Sequence, residues 1–493
     1  MGKNKGFLEF SKIYPAYQPV QERVTHYREF TNNPDLKKIQ TECGRCMDCG
    51  IPYCHALGCP LGTLIPEINE NIWNGDYHEA YLRLESTGNF PEITGRLCPA
   101  LCEASCSLSV NDYSVSVKCI EYSLAEAAFK NGWVKPLPPA SENGIKAAVI
   151  GSGPAGLAAA QQLRRAGFSV TVFEKDKKPG GLLRYGIPSF KLEKWVLDRR
   201  LEQLEEEGVV FRNEVVIGDD ISAEYLRRFY NIIVLASGAG KPREIRAIGS
   251  GYENIVYALD YLSSSERFLS GESAGEGAAG QKRINAEGKN VIVIGGGDTG
   301  ADCVGTAVRQ GAKQICQFEI MMEPETHIGA GNPSWPDYPR IMRNSTSHEE
   351  GGRRYWATEV YQFTGKDVYV EKAYCRKVSW NYDPVSGRHS YSPVAGSEFE
   401  VDADLVIIAA GFIHTEHSRL LSKLGVTFDR AGNIKKDENN MTEVEGIYAA
   451  GDCSAGASLI VKAIKSGRDA ASSIIAKYKD LSGHEVSDNN HYL

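Results

Sequence analysis

Nine of the chain's 13 cysteines fall between Cys43 and Cys119, and seven of them form two tight motifs. The first reads Cys46-x2-Cys49-x4-Cys54-x4-Cys59-Pro60. The second reads Cys98-Pro99-x2-Cys102-x3-Cys106. Such close spacing lets one loop present several sulfurs to one centre. A proline after a cysteine stops a helix from closing over that centre, so the chemistry expected is ligation of iron–sulfur clusters. Zinc is the rival, but zinc sites usually pair two short C-x2-C knuckles, and only Cys46/Cys49 or Cys43/Cys46 has that form. Cys43 precedes the motif in an x2 rhythm that the later spacing breaks, and reads as a spare thiol. Cys119 reads as a packed helix residue. In a reducing compartment, cysteines this dense bind metal rather than form disulfides.

A second kind of chemistry starts at Lys146. An apolar run, Ala147 to Ile150, leads into Gly151, Gly153 and Gly156 in G-x-G-x-x-G spacing; then come an Ala- and Leu-rich helical pattern and a β-branched run that ends at Glu174. This is a βαβ unit for a dinucleotide. Gly151 allows the tight turn, Gly153 the approach of a pyrophosphate and Gly156 the packing of helix on strand. The helix N-terminus from Pro154 and Ala155 supplies N–H groups to phosphate. Glu174, with Lys175 beside it, stands where a carboxylate meets ribose hydroxyls.

The pattern recurs. Asn290-Val-Ile-Val-Ile runs into Gly295, Gly297, Asp298, Thr299 and Gly300, with a helix to about Gln310 and a strand from Gln314 ending near Glu319. Two fingerprints in one polypeptide imply two dinucleotides, one fixed and one exchangeable. The first is assigned to FAD and the second to NADH or NADPH. An acid at Glu319 suits a free 2′-hydroxyl, whereas a 2′-phosphate calls for arginine. Arg340, Arg343, Arg353 and Arg354 lie downstream, so the preference between the two coenzymes stays open here.

These units must be positioned by a larger framework. A chain of 493 residues suggests about three domains. The expected fold is α/β: two Rossmann-like domains, with the NAD(P)H domain inserted in the FAD domain, preceded by a helical iron–sulfur domain. The expected spans are 1–145 for the cluster domain, 146–250 with 405–493 for the FAD domain, and 251–404 for the NAD(P)H domain. The first forty residues, broken by Pro15, Pro19 and Pro34, read as an extended arm. Ser263 to Gly288 reads as an exposed loop, and 355–400 as antiparallel strands. The glycine-rich segment with Gly181, Leu182, Tyr185, Gly186 and Ile187 can lie against a flat ring. Gly411 and Gly451-Asp452 end apolar strands that return to the FAD domain. Asp452 there can bond a ribityl hydroxyl, and a helix begins at Ser458 and Leu459. The net charge of −8 argues against a nucleic-acid partner or an anionic membrane. No apolar run reaches the ~18 residues of a membrane span, and the start lacks a signal peptide, so a cytoplasmic location is expected.

Taken together, RCMDCGIPYCHALGCPLG (45–62), GRLCPALCEASC (95–106), GSGPAGLAAA (151–160), GGLLRYGIPSFKL (180–192), GGGDTGADC (295–303) and GIYAAGDC (446–453) resemble the small (β) subunits of glutamate synthase. The N-terminal and flavin regions are also similar to dihydropyrimidine dehydrogenase. The resemblance implies FAD, a nicotinamide coenzyme, two 4Fe–4S clusters and a large (α) subunit carrying FMN that makes glutamate from glutamine and 2-oxoglutarate. It implies no catalytic side chain, since hydride transfer is borne by the cofactors. Ferredoxin or another oxidoreductase is the alternative acceptor. Carried over position by position, the resemblance interleaves the motifs: Cys46, Cys49, Cys54 and Cys106 on one cluster, and Cys59, Cys98, Cys102 and Glu121 on the other. The simpler reading keeps Cys46, Cys49, Cys54 and Cys59 together, and spacing alone does not decide. At Glu319-Ile320 the chain departs from a branch of the family with paired arginines.

Overall fold

The computed structural model describes residues 2–32, 34–272, 283–326, 332–383 and 388–482. The N-terminal part is helical: α1 (Leu36–Cys43), α2 (Ile65–Asn74), α3 (Tyr77–Thr87), α4 (Pro91–Leu97) and α5 (Val117–Lys130). Ile65, Ile68 and Ile72 recur at helical spacing on α2, and pack with Tyr81 and Leu84 of α3 and Ile120 and Leu124 of α5 in one core. The Asp35 carboxylate caps α1 by accepting the Lys38 N–H.

The segment expected as an extended arm is folded onto the rest of the molecule. Ala16–Tyr17 pairs with Thr31–Asn32, and a helical turn, Val20–Arg23, lies between. The prolines broke the helices without freeing the chain, because Arg23 is buried. Its guanidinium donates to Glu350 (2.8 Å) and Glu349 (2.8 Å) of the nicotinamide-side domain. Arg309 donates to the same Glu350 (2.5 Å) and lies 3.8 Å from the Phe190 ring.

The first parallel sheet is built from β1 (Lys146–Ile150), β2 (Ser169–Phe173), β3 (Val210–Arg212) and β4 (Ile232–Leu235), with helices α6 (Pro154–Arg165) and α7 (Lys194–Glu206). The second is built from β5 (Ile255–Tyr257), β6 (Asn290–Ile294), β7 (Gln314–Phe318) and β8 (Arg353–Tyr355), with helices α8 (Ala258–Leu269) and α9 (Asp298–Arg309). Antiparallel strands β9 (Thr358–Lys366), β10 (Tyr369–Asp383), β11 (Arg388–Pro393) and β12 (Phe399–Asp402) follow. Then come β13 (Leu405–Ile408), β14 (Ile447–Ala449) and the long helix α10 (Ile460–Ser482). The first sheet has the order β14-β4-β1-β2-β3 and the second β8-β7-β6-β13-β5. Both are wholly parallel, and both reverse direction beside the central strand, β1 or β6. Ligands of doubly wound sheets bind at that reversal.

Two expected boundaries move. β13 was assigned to the FAD domain, but it lies between β6 and β5 in the second sheet. Residues near 248 also belong to the second domain, because Ile248 N–H donates to Tyr361 O (3.0 Å) and Phe363 N–H to Ile248 O (2.7 Å). The chain crosses instead at Lys241–Pro242 and Phe412–His414, which pair as a two-stranded antiparallel hinge. A four-residue apolar run such as 405–408 carries no mark of the sheet it joins. The loop expected over Ser263–Gly288 is helical up to Leu269, with Ser265 and Glu266 buried. Residues 273–282 lie outside the described residues.

Candidate functional site

The eight expected metal-ligating residues fall into two cavities. Cys46, Cys49, Cys54 and Cys106 line one, with Tyr53 and Pro66. Cys59, Cys98, Cys102 and Glu121 line the other, with Leu84, Ile120 and Val461. The simpler grouping of Cys59 with Cys46, Cys49 and Cys54 is therefore not the arrangement found. A π-helical turn, Cys54–Gly58, carries Cys59 away from them. Gly58 then packs so closely that a Cβ there would sit 2.8 Å from Cys102 Cα. Cys43 and Cys119 lie in the helical core, outside both cavities.

The electrostatics of the two cavities fit polynuclear clusters. Burial pushes the Cys54 thiol up to about 12, and the neighbouring Cys106 and Cys46 push the same way. Burial also raises Cys98 to about 12, followed by the charge of Glu121. Thiols raised in this way become thiolates only beside a strongly cationic centre. Among the described residues no three such side chains converge on a point suited to a single metal ion. Burial raises the Glu121 carboxyl to about 7, opposed by the Thr94 hydroxyl that donates to Oε1. Ala100 N–H donates to Cys98 Sγ (3.4 Å), and Thr63 Oγ1 lies 3.2 Å from Cys59 Sγ. Thr63 belongs to no recognised motif and was not picked out by the sequence.

The two glycine loops sit at the two sheet reversals, and each is closed by a backbone contact. Gly151 has φ +103°, and a Cβ there would meet Ala236 O at 2.5 Å. Gly295 has φ +126°, and a Cβ there would meet Ala409 O at 2.2 Å. Gly156 and Gly300 let α6 and α9 pack on the loops, since a Cβ would lie 2.0 Å from Gly151 O and 2.2 Å from Gly295 O respectively. At Gly153 and Gly297 a Cβ would meet nothing within 4 Å, so both glycines face open space at a helix N-terminus. That is the cradle a pyrophosphate fills.

The two acids are held alike. Glu174 accepts the N–H of Ser152 on Oε2 (3.1 Å) and of Asp176 on Oε1 (3.0 Å). Glu319 accepts the N–H of Gly296 on Oε2 (2.6 Å) and of Met321 on Oε1 (2.9 Å). Ser152 also donates its hydroxyl to Glu174 and accepts the Gly180 N–H (2.8 Å), which ties the loop, the acid and the segment before Gly181 together. A Cβ on Gly181 would touch Gly153 Cα at 3.0 Å. Neither Ser152 nor Gly296 was singled out by the sequence, although both follow a first fingerprint glycine.

Other expected residues scatter more. Lys175 and Leu182 are exposed, and Gly186 and Ile187 close the short helix Leu182–Tyr185 by bonding back to Leu182 O. Tyr185 is buried and fastens the flavin segment to the second domain. Its hydroxyl accepts the Lys178 N–H and donates to Glu272, and Arg267 lies 4.2 Å from its ring. Burial raises its phenol to about 12. Gly411 stands at the hinge, where its carbonyl accepts the Arg243 N–H (2.9 Å). Ser458 donates to Asp452 (2.9 Å), and the Leu459 carbonyl starts α10. Gly467 on α10 meets α6 so closely that a Cβ would lie 2.1 Å from Ala155 O. This glycine, too, lies in no motif. Asp298 and Thr299 open α9, beside the buried Lys191–Asp302 ion pair that crosses from the flavin segment.

Comparison with known proteins agrees with this architecture. Residues 145–467 match the family described as pyridine nucleotide-disulphide oxidoreductase. Residues 23–133 match dihydropyrimidine dehydrogenase domain II, 4Fe-4S cluster. A glutamate synthase [NADPH] small chain of Mycobacterium tuberculosis (strain CDC 1551 / Oshkosh) is 46% identical, over 95% of this chain and 94% of that one. The chain belongs to the glutamate synthase small-chain family. A Bacillus subtilis small chain is 38% identical over 96% of this chain and 97% of its own length. The glutamate synthase [NADH] of Saccharomyces cerevisiae is 37% identical over 96% of this chain but only 22% of that much longer one. FprA, a Mycobacterium tuberculosis oxidoreductase, shares the fold, with a TM-score of 0.53 and 17% identity over 70% of this chain and 87% of that one. As a member of the small-chain family, the protein is an NAD(P)H-dependent flavin and iron–sulfur oxidoreductase. Among the described residues no helix is long and apolar enough to cross a membrane.

Proposed function

We propose that this chain takes electrons from NAD(P)H and delivers them, through FAD and two 4Fe–4S clusters, to a large glutamate synthase subunit whose FMN supports glutamate formation from glutamine and 2-oxoglutarate. When bound, FAD would supply a hydride acceptor for the nicotinamide and the clusters one-electron carriers. The chain's residues bind, orient and insulate. Gly151, Gly153 and Gly156 cradle the FAD pyrophosphate, with Glu174 on its ribose. Gly295, Gly297 and Gly300 do the same for the coenzyme, with Glu319 at the strand end. Cys59, Cys98, Cys102 and Glu121 would hold one cluster, and Cys46, Cys49, Cys54 and Cys106 the other.

The observation that carries this reading is the placement of the two cavities. The first quartet shares its cavity with Val461, on the helix that starts beside Ser458 and Asp452 in the flavin domain. The second quartet shares its cavity with Met47, and Ile51 between Cys49 and Cys54 is exposed. The first is thus the inner station and the second the outer. The purified chain is expected to contain one flavin and about eight iron and eight labile sulfide per polypeptide. It should reduce artificial acceptors with a nicotinamide coenzyme and form no glutamate alone. Iron near four per chain would remove one cluster, and glutamate formation by the chain alone would overturn the division of labour.

A further inference from the structure

The acid at the end of β7 bears on coenzyme choice, given the second glycine loop as the nicotinamide coenzyme site. Glu319 is anchored by two backbone N–H groups, from Gly296 (2.6 Å) and Met321 (2.9 Å), which leave each carboxylate oxygen free to accept once more. It lies directly against the loop, because a Cβ on Gly296 would come within 2.6 Å of Oε2. The adenosine ribose of a coenzyme seated on this loop presents its hydroxyls at that strand end. A 2′-hydroxyl donates to a fixed carboxylate. A 2′-phosphate brings a second negative charge with no proton to share.

A cation beside Glu319 would reverse the argument. Among the described residues Glu319 forms no ion pair, and three of the four downstream arginines, Arg343, Arg353 and Arg354, have other partners. Arg354, on β8, donates to Asn344 and lies 5.5 Å from the Trp356 ring. Arg343 donates to Pro339 O (3.0 Å) and lies 3.9 Å from the Tyr338 ring. Arg353 lies 5.3 Å from the Tyr355 ring. The flavin-side acid, Glu174, is held by the same two kinds of N–H donor, and FAD has a free 2′-hydroxyl at the corresponding ribose. We infer that this chain selects NADH over NADPH, with Glu319 as the specificity-determining residue.

The test is calorimetric titration of the purified holo chain with NAD+ and with NADP+, paired with anaerobic flavin bleaching by NADH and NADPH. NAD+ should bind roughly 100-fold more tightly, the scale set by losing one charge-assisted hydrogen bond and setting a half-exposed carboxylate against like charge. Glu319→Arg should bring the two affinities together or reverse them. Glu319→Gln, which keeps an acceptor oxygen and the size, should narrow the gap without changing flavin content. Equal affinities in the native chain, or tighter NADP+, would overturn the inference and leave the proposed function standing. An unchanged ratio in both variants would remove Glu319 from the specificity. Failure of either coenzyme to bind or bleach the flavin would overturn the proposed function, and this inference with it.

Discussion

The two βαβ units are near copies in backbone, and the differences between them lie in what supports each glycine loop. In the first, Ser152 clasps Glu174, and the acid is buried. The loop is backed by the flavin segment at Gly180 and by α10 at Gly467. In the second, Gly296 replaces that serine, Glu319 is half-exposed, and the loop is backed by a polar relay. Gln317 donates to Gly295 O (2.8 Å), and the Gln317 carbonyl takes the Nε2–H of His348 (2.9 Å). Because Gln317 spends its N–H on Gly295, its oxygen faces His348, which fixes the imidazole as the neutral Nε2–H tautomer. One loop is clasped by its acid, the flavin segment and α10, and the other is propped from behind. The first arrangement suits a resident cofactor and the second an exchanging one.

The largest effects should come from cutting what bolts each unit to the cluster domain. Glu92 and Arg200 form a fully buried pair between α4 and α7 (2.7 and 2.8 Å). Glu92→Gln leaves the guanidinium uncompensated and should cost about 3–5 kcal/mol, read as a lower urea midpoint together with loss of flavin. Glu350→Gln instead leaves Arg309 without its carboxylate and Arg23 with Glu349 alone. It should cost a similar amount but weaken coenzyme binding while flavin and iron content hold. If both variants lost flavin equally, the two units would not be separately anchored.

Next come the loops themselves. Gly151→Ala and Gly295→Ala each force a Cβ into a carbonyl at positive φ, a strain of at least about 2 kcal/mol. Gly151→Ala should purify with little flavin. Gly295→Ala should keep its flavin and lose bleaching by the coenzyme. A smaller effect is expected from Ser152→Ala, which removes a hydrogen bond to a buried carboxylate worth about 1.5 kcal/mol and should weaken FAD binding about tenfold. The nicotinamide Kd should not change.

Much of this comparison was legible in the sequence, because its signals are local. A glycine that needs positive φ, an apolar strand run and an acid at the strand end all lie within thirty residues. The cysteine motifs were equally plain as chemistry. Their pairing was not, because it depends on α2 and α3 folding the chain back between Cys59 and Cys98. Spacing cannot express that return, and only the family resemblance suggested it. Glu121 and Thr63 sit in no motif, so nothing local marks them. The domain crossings were misplaced for a related reason, since 405–408 and 447–449 are the same kind of short apolar run and join different sheets. The N-terminal arm is polar and proline-broken, and its attachment rests on the buried Arg23, whose acids lie more than three hundred residues away.

The smallest expected effect concerns pH. Burial, then the charges of Arg354 and Lys191, pushes His348 down to about 4 from its ordinary 6.5. The unfolded chain therefore binds more protons than the folded one between those values, and stability present above pH 6.5 is lost as pH falls toward 4. The propped loop should feel this first. Coenzyme affinity should weaken between pH 7 and pH 5 while flavin stays bound, and His348→Gln should flatten that dependence.

A resident first site holds its dinucleotide through dialysis, and an exchanging second site does not. The direct measurement is to saturate the chain with FAD and NAD+, dialyse it exhaustively, and count both nucleotides per polypeptide. Retention of one FAD with no remaining NAD+ is the predicted result. Joint retention of both, or joint loss of both, would contradict the account.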